Sequence, residues 1–243
     1  MTPSTLSENL SRVEESITKA CREAGRRRED VELIAVSKTH PTQAITEAIS
    51  LGLKLFGENR VQEFAQKSVE LSSEVRSQMR AHLIGHLQSN KAAKAVELFD
   101  SIDSLDSLKL AQRLNEAAAV QGKRLPVLIE IKLSPEEAKA GLAPNSKELA
   151  DLLDHLPDLA NLNPQGLMTI APFNVSEAET RACFRNLRTL RDRLSQAYGQ
   201  LYLPVLSMGM SGDFALAIAE GATRIRIGTA LFGARAYPEL SQA

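Results

Sequence analysis

The chain has 243 residues, 43% hydrophobic and 24% charged, the make-up of a globular protein with core enough for one large α/β barrel or two small domains. A net charge of −1 supplies no field to attract nucleic acid or an anionic membrane, and no stretch approaches the ~20 apolar residues of a membrane span. The polar, acidic start MTPSTLSENLSRVEES is not a secretory signal, and Cys21 and Cys183 lie far apart, as reduced thiols of a cytoplasmic protein would.

Leu6, Leu10, Val13, Ile17, Cys21 and Ala24 recur every three or four residues and predict a first helix within 1–28. Thr2-Pro3 suits its start and Gly25 its stop. The basic run Arg26–Arg28 is followed at once by Glu29 and Asp30, which makes a solvated turn rather than a nucleic-acid patch. Short apolar runs then predict strands at Leu33–Ser37, Leu53–Phe56, Ala81–Ile84, Leu98–Ile102, Pro126–Leu133, Gly166–Thr169, Val205–Met208 and Thr223–Ile227. Helical patterns fall between them at Thr42–Ser50, Val61–Arg80, Ser89–Glu97, Ser107–Gln121, Ser146–His155, Glu177–Tyr198 and Asp213–Ala219. Strands alternating with helices in this number predict a (β/α)8 TIM barrel over 31–235, with a doubly wound open sheet as the alternative. No linker or composition shift divides the chain, so a single domain over 1–243 is expected, with no second domain after the last strand.

The chemistry starts at Lys38, which follows the apolar run Val31–Val36 in VELIAVSKTHP. A lysine at a strand tip between apolar walls is pushed toward its neutral amine, and a neutral amine attacks carbonyls to form a Schiff base. The plain alternative is a solvated lysine at a strand end. His82 and His86 have i,i+4 spacing but no glutamate between them and sit on a strand and its turn, so no zinc site is expected.

Two loops near the end of the chain carry the second signal: Ser207-Met208-Gly209-Met210-Ser211-Gly212-Asp213 after strand seven, and Arg226-Ile227-Gly228-Thr229-Ala230 after strand eight. Glycine lets backbone N–H groups approach a ligand, and helix N-termini add free donors and partial positive charge. Barrels frequently bind phosphate between these two loops, although turn glycines with Ser or Thr caps would look alike. On strand eight, alternation places Ile225 and Ile227 toward the helices and Arg224 and Arg226 inside the barrel. Ile34, Val36 and Lys38 share a face in the same way. Glu130 on strand five would need a cationic partner if it faces inward, with Arg224 as the candidate.

A ligand suited to these groups carries an aldehyde for Lys38, a phosphate for the glycine loops and an acceptor for Arg226. Pyridoxal 5′-phosphate has all three, and an arginine at its ring nitrogen would leave it a weaker electron sink than an aspartate would. A class I aldolase barrel also uses a lysine and a sugar phosphate, but its lysine usually lies on a later strand.

The motifs LIAVSKTHP, FGENRVQEF, HLIGHLQSNK, KAGL, GLMTIAP, LSMGMSGDF and TRIRIGTALFGAR follow in order from about Leu33 to Arg235. They resemble the pyridoxal phosphate homeostasis protein family, also called the YggS/PROSC family. The resemblance implies a single-domain barrel like the N-terminal domain of alanine racemase. It implies that Lys38 bears the cofactor, that Ser211, Gly228 and Thr229 hold the phosphate, that Arg226 meets the ring nitrogen and that Asn59 lines the pocket. Gly212 would contribute only its backbone N–H. His86 and Gln88–Lys91 look like family signature without assignable chemistry, and Met168 is expected to be a core methionine.

Two functions are weighed. One is a non-catalytic carrier that stores, buffers or delivers pyridoxal phosphate, with cofactor-dependent apo-enzymes as candidate recipients. The other is a pyridoxal-phosphate-dependent amino-acid racemase or decarboxylase. A two-base racemase needs a second proton-transfer residue, which related enzymes take from an additional β domain. Here Tyr198, Tyr202 and Tyr237 all lie late in the chain, and none is expected to serve. The carrier is favoured, as a cytoplasmic monomer with no nucleic acid or membrane partner.

Overall fold

The structure, a computed structural model, describes residues 5–134, 140–199 and 201–233. Eight parallel strands close into a barrel in chain order: β1 (Glu32–Val36), β2 (Leu55–Glu58), β3 (Arg80–Leu83), β4 (Ser101–Leu105), β5 (Leu125–Glu130), β6 (Leu162–Met168), β7 (Val205–Ser207) and β8 (Arg224–Ile227). Closure comes from β1 pairing with β8, with Glu32 opposite Arg224 and Ile34 opposite Arg226. The helices are α1 (Leu6–Glu23), α2 (Thr42–Ser50), α3 (Val61–Glu70), α4 (Ser73–Ser77), α5 (Ala92–Leu98), α6 (Leu108–Val120), α7 (Lys147–His155), α8 (Glu177–Ala197), α9 (Phe214–Ala219) and α10 (Thr229–Phe232). The strands are buried on both faces, as parallel sheets demand, and this explains their continuous apolar runs.

The alternation expected on β8 holds. Ile225 and Ile227 join the main core between strands and helices, with Leu33 and Ala35 of β1. The inward side chains Ile34, Val36 and Ile84 form a separate small cluster inside the barrel. Beneath it lies an ionic layer. Arg224 reaches Glu32 at 2.7 Å and Asp103 at 3.5 Å. His82 sits 3.2 Å from Asp103, and Ser101 donates to Asp103 at 2.6 Å. Burial pushes the Asp103 carboxyl up, but His82 and Arg224 outweigh burial and hold it at about 2.

Helix α1 lies outside the closing seam and packs on α9 and α10. Asn9 donates to the Leu231 carbonyl at 2.8 Å, and Arg26 donates to the Ala222 carbonyl at 2.6 Å. Its start is a reciprocal cap between Thr5 and Glu8; Thr2-Pro3 lie outside the described residues. Gly25, at φ +65°, supplies the expected left-handed stop.

Several elements differ from expectation, among them β5, which ends at Glu130 rather than Leu133. The helix expected over Val61–Arg80 is two, because the Ser72 side chain accepts from the Val75 N–H and starts α4. The strand expected at Leu98–Ile102 begins at Ser101, since Leu98 and Phe99 finish α5 and its cap. Strand β6 starts earlier than expected, at Leu162, and carries Pro164 in a stretch where the β5–β6 register shifts.

Candidate functional site

A cavity of about 570 Å³ opens at the C-terminal end of the strands, and Lys38, Asn59, Ser211, Gly212, Arg226, Gly228 and Thr229 all line it. This is the end where barrels place chemistry. The volume suits a small organic ligand, for which such cavities run to roughly 300–1,000 Å³.

Lys38 stands just past the end of β1, in a turn rather than on the strand. It is half-buried, and Val36 and Ile84 line the same cavity. The next residue, Thr39, takes the left-handed conformation at φ +66°, uncommon for a β-branched side chain. Asn59 follows β2. Its backbone is approached closely by Gly85, where an added Cβ would fall 2.5 Å from the Asn59 carbonyl oxygen. Only glycine lets these two strand ends meet.

The two glycine loops form the opposite wall. Gly209, at φ +94°, packs so tightly that a Cβ would lie 2.6 Å from the Ala217 Cβ. The Met210 N–H donates to the Asp213 carboxylate, which turns that acid back onto its own loop and leaves Ser211 and Gly212 at the tip. Gly212 faces open space, with nothing within 4 Å of the point a Cβ would occupy. Gly228 caps α10 and Thr229 begins it. Helices α9 and α10 have six and four residues, too short to sum a large dipole. An anion in this cavity would therefore be held by individual N–H and hydroxyl donors rather than by helix axes.

Arg226 rises from β8 into the cavity floor and is buried. It donates to Ser207 Oγ and to the Thr169 carbonyl, both at 2.8 Å. These two bonds fix the guanidinium plane and leave its other N–H groups for the cavity. Burial draws this guanidinium below its usual range, against the pull of Asp103, Asp213 and Glu130.

Glu130 does face inward and lines the cavity, but its expected partner is wrong. Arg224 sits one rung lower, opposite Glu32, and is taken by Glu32 and Asp103. The guanidinium that acts on Glu130 is that of Arg226, not Arg224. Burial, reinforced by Asp106, nevertheless raises the Glu130 carboxyl to about 7, with Arg226 and His86 pulling the other way. His86 accordingly gains a place: it lines the cavity and its Nδ1 lies 2.9 Å from Asp106. Sequence alone marks His86 as a signature without chemistry, because a histidine followed twenty residues later by an acid obeys no spacing rule that would pair them.

The remaining candidates fall elsewhere. Gln88 to Lys91 form a short 3₁₀ turn leading into α5, off the cavity lining. Met168 is fully buried in β6. Tyr198 bonds Asp154 and Tyr202 is exposed, both away from the cavity, while Tyr237 lies outside the described residues. Among the described residues, no group of three His, Cys, Asp or Glu is placed to hold a metal, and no helix is long and apolar enough to cross a membrane. A second cavity of about 920 Å³ lies at the other end of the barrel, below the ionic layer, and shares no lining residue with the first.

Known proteins share this fold. The family described as alanine racemase, N-terminal domain, matches residues 9–236. A pyridoxal phosphate homeostasis protein of Aquifex aeolicus is 44% identical over 230 residues, 95% of this chain and 98% of its own length. PipY of Synechococcus elongatus, solved with pyridoxal phosphate bound, is 44% identical with a TM-score of 0.81 over 94% of this chain and 100% of that one. Alanine racemase of Clostridium difficile shares the fold at 17% identity and a TM-score of 0.74, with 57% of its chain covered. Matched over nearly its whole length by such relatives, the chain belongs to the pyridoxal phosphate homeostasis protein family, built on the alanine racemase N-terminal barrel.

Proposed function

We propose that this protein binds pyridoxal 5′-phosphate as a Schiff base on Lys38 and stores, buffers or delivers it without turning over a substrate. One observation carries the proposal: the amine, the guanidinium and the two anion-donor loops, drawn from opposite ends of the barrel sequence, line a single cavity of about 570 Å³. When bound, the group supplies a condensable aldehyde, a phosphate dianion and a ring nitrogen that accepts a hydrogen bond.

The residues fit that group. Lys38 offers the amine. Ser211 and Thr229 offer hydroxyl donors, and Gly212 and Gly228 offer backbone N–H groups without side chains in the way. Arg226 is fixed by Ser207 and Thr169 and remains a donor at the ring-nitrogen end, because a guanidinium stays charged at neutral pH. Asn59 is held in the wall by the Gly85 contact. The homeostasis role rests on relatives that carry that name and on an arginine, rather than an acid, at the ring-nitrogen end. Proton-transfer chemistry of a racemase or decarboxylase would draw on Glu130, His86, Lys132 or Lys38 itself, all of which line the cavity where no described tyrosine does. We place the protein in the cytoplasm as a monomer, with cofactor-requiring apo-enzymes as recipients; Cys21 and Cys183 are buried outside any disulfide, as a reducing compartment allows.

The test loads wild-type protein with pyridoxal 5′-phosphate, reduces it with borohydride and maps the modified lysine by mass spectrometry. A single modified site at Lys38 is expected; modification elsewhere or none refutes the proposal. Arg226→Gln is expected to weaken cofactor affinity by ~10-fold or more, the scale of losing a charged hydrogen bond, read by absorbance titration. Unchanged affinity removes Arg226 from the site.

A further inference from the structure

We infer that Lys67, Glu58 and Glu63 form a positioning clasp that sets the turn over residues 37–39 and thereby aims Lys38 into the cavity. The inference rests on the proposal that Lys38 carries the cofactor.

The clasp grips the peptide groups on both sides of Lys38. From α3, the buried Lys67 Nζ donates to the Ser37 carbonyl at 2.9 Å. The same nitrogen meets Glu58 Oε1 and Glu63 Oε1, each at 2.8 Å. Ser37 Oγ donates to Glu58 Oε1 at 2.8 Å, and the Ser37 N–H donates to the Gly57 carbonyl at 3.1 Å. On the far side of Lys38, the Thr39 N–H donates to Glu63 Oε1 at 2.6 Å. That bond holds Thr39 at φ +66°, a conformation a β-branched residue keeps only when its surroundings impose it.

Stability alone is a poor account of this cluster. Glu58 is fully buried, and its Oε2 has no hydrogen-bond partner among the described residues. Burial pushes its carboxyl above the ordinary range despite Lys67 and Ser37. Burial also pushes Glu63 up, but Lys67 and the Thr39 N–H outweigh it and leave that carboxyl below its ordinary value. Buried ion pairs contribute little net stability over apolar replacements; what this one contributes is a fixed direction for the side chain between its two grips. Groups that orient a reacting side chain in this way typically govern affinity strongly without touching the ligand.

The experiment compares wild type, Glu63→Ala, Glu63→Gln and the double variant Glu58→Gln, Lys67→Met, which removes the ammonium without stranding a buried carboxylate. Three quantities are read: affinity for pyridoxal 5′-phosphate by absorbance titration, the rate of borohydride-fixed mass at Lys38, and the melting temperature of cofactor-free protein. Glu63→Ala and the double variant are expected to lose ~10-fold or more in affinity and fixation rate, with melting temperatures within a few degrees of wild type. Glu63→Gln keeps an oxygen for the Thr39 N–H and is expected to stay within ~3-fold of wild type. Wild-type affinity in either Glu63→Ala or the double variant overturns the clasp. So does equal loss in Glu63→Gln and Glu63→Ala, or a melting temperature that falls in step with affinity. A wild-type protein with no fixed mass on Lys38 overturns the cofactor proposal, and the clasp's role with it.

Discussion

Lys38→Ala is expected to leave no borohydride-fixed cofactor on the protein and no visible absorbance after incubation with pyridoxal 5′-phosphate. The N–H and hydroxyl groups of the two glycine loops and Arg226, proposed to hold the cofactor, survive the change, so non-covalent retention is expected to persist but weaken by ~100-fold or more, the equivalent of about 3 kcal/mol. The fold itself should hardly notice. Lys38 is half-buried, outside the strand and outside both hydrophobic clusters, and the turn is held through backbone atoms of Ser37 and Thr39. A cofactor-free melting temperature within about 2 °C of wild type follows. Persistent absorbance and a fixed mass on another lysine would move the covalent site elsewhere.

Glu130→Gln is expected to flatten part of the pH dependence of stability. The carboxyl sits at about 7 in the folded cofactor-free protein against an ordinary 4.5, because burial, aided by Asp106, favours its neutral form. Below about pH 4.5 both folded and unfolded chains are protonated, and the stabilisation is fully present. Between about 4.5 and 7 the unfolded chain releases the proton while the folded one keeps it, so stability falls as pH rises. Above 7 the loss is complete. Glutamine stays neutral throughout, so at pH 8 the variant should exceed wild type by on the order of 2–3 kcal/mol and at pH 4 by little. Urea melts of both proteins across that range check the difference curve. A difference that does not change with pH would show that Glu130 ionises at an ordinary value.

The barrel was legible because each strand is a short, doubly buried apolar run and each crossover carries its own helical period. The legibility failed where two elements shared one apolar run. Leu98 and Phe99 close α5, yet they sit only a turn away from Ser101–Leu105, and periodicity alone divides such a run poorly. The two glycine loops that line the cavity were visible because glycine, serine and threonine cluster between an apolar strand and a helix start. The partner of Glu130 was not, because pairing across the barrel depends on closure. Only the β1–β8 register puts Glu32 beside Arg224 and so leaves Arg226 as the guanidinium near Glu130. The clasp was hidden for a similar reason. Glu58 lies on a strand and Lys67 on the following helix, and the separation of nine residues meets neither a helical nor a strand rule.

The ionic layer has a consequence for traffic. Asp103, His82 and Arg224 are buried across the lower barrel, and the two cavities have no lining residue in common. Among the described residues, the two cavities are therefore separate chambers, and the upper one opens at the C-terminal end of the strands. Phe173, which lines the upper chamber, stands 64% exposed at its rim. On the proposed function, a cofactor lodged above the ionic layer lies apart from the lower cavity, and a recipient protein would meet it at the C-terminal ends of the strands.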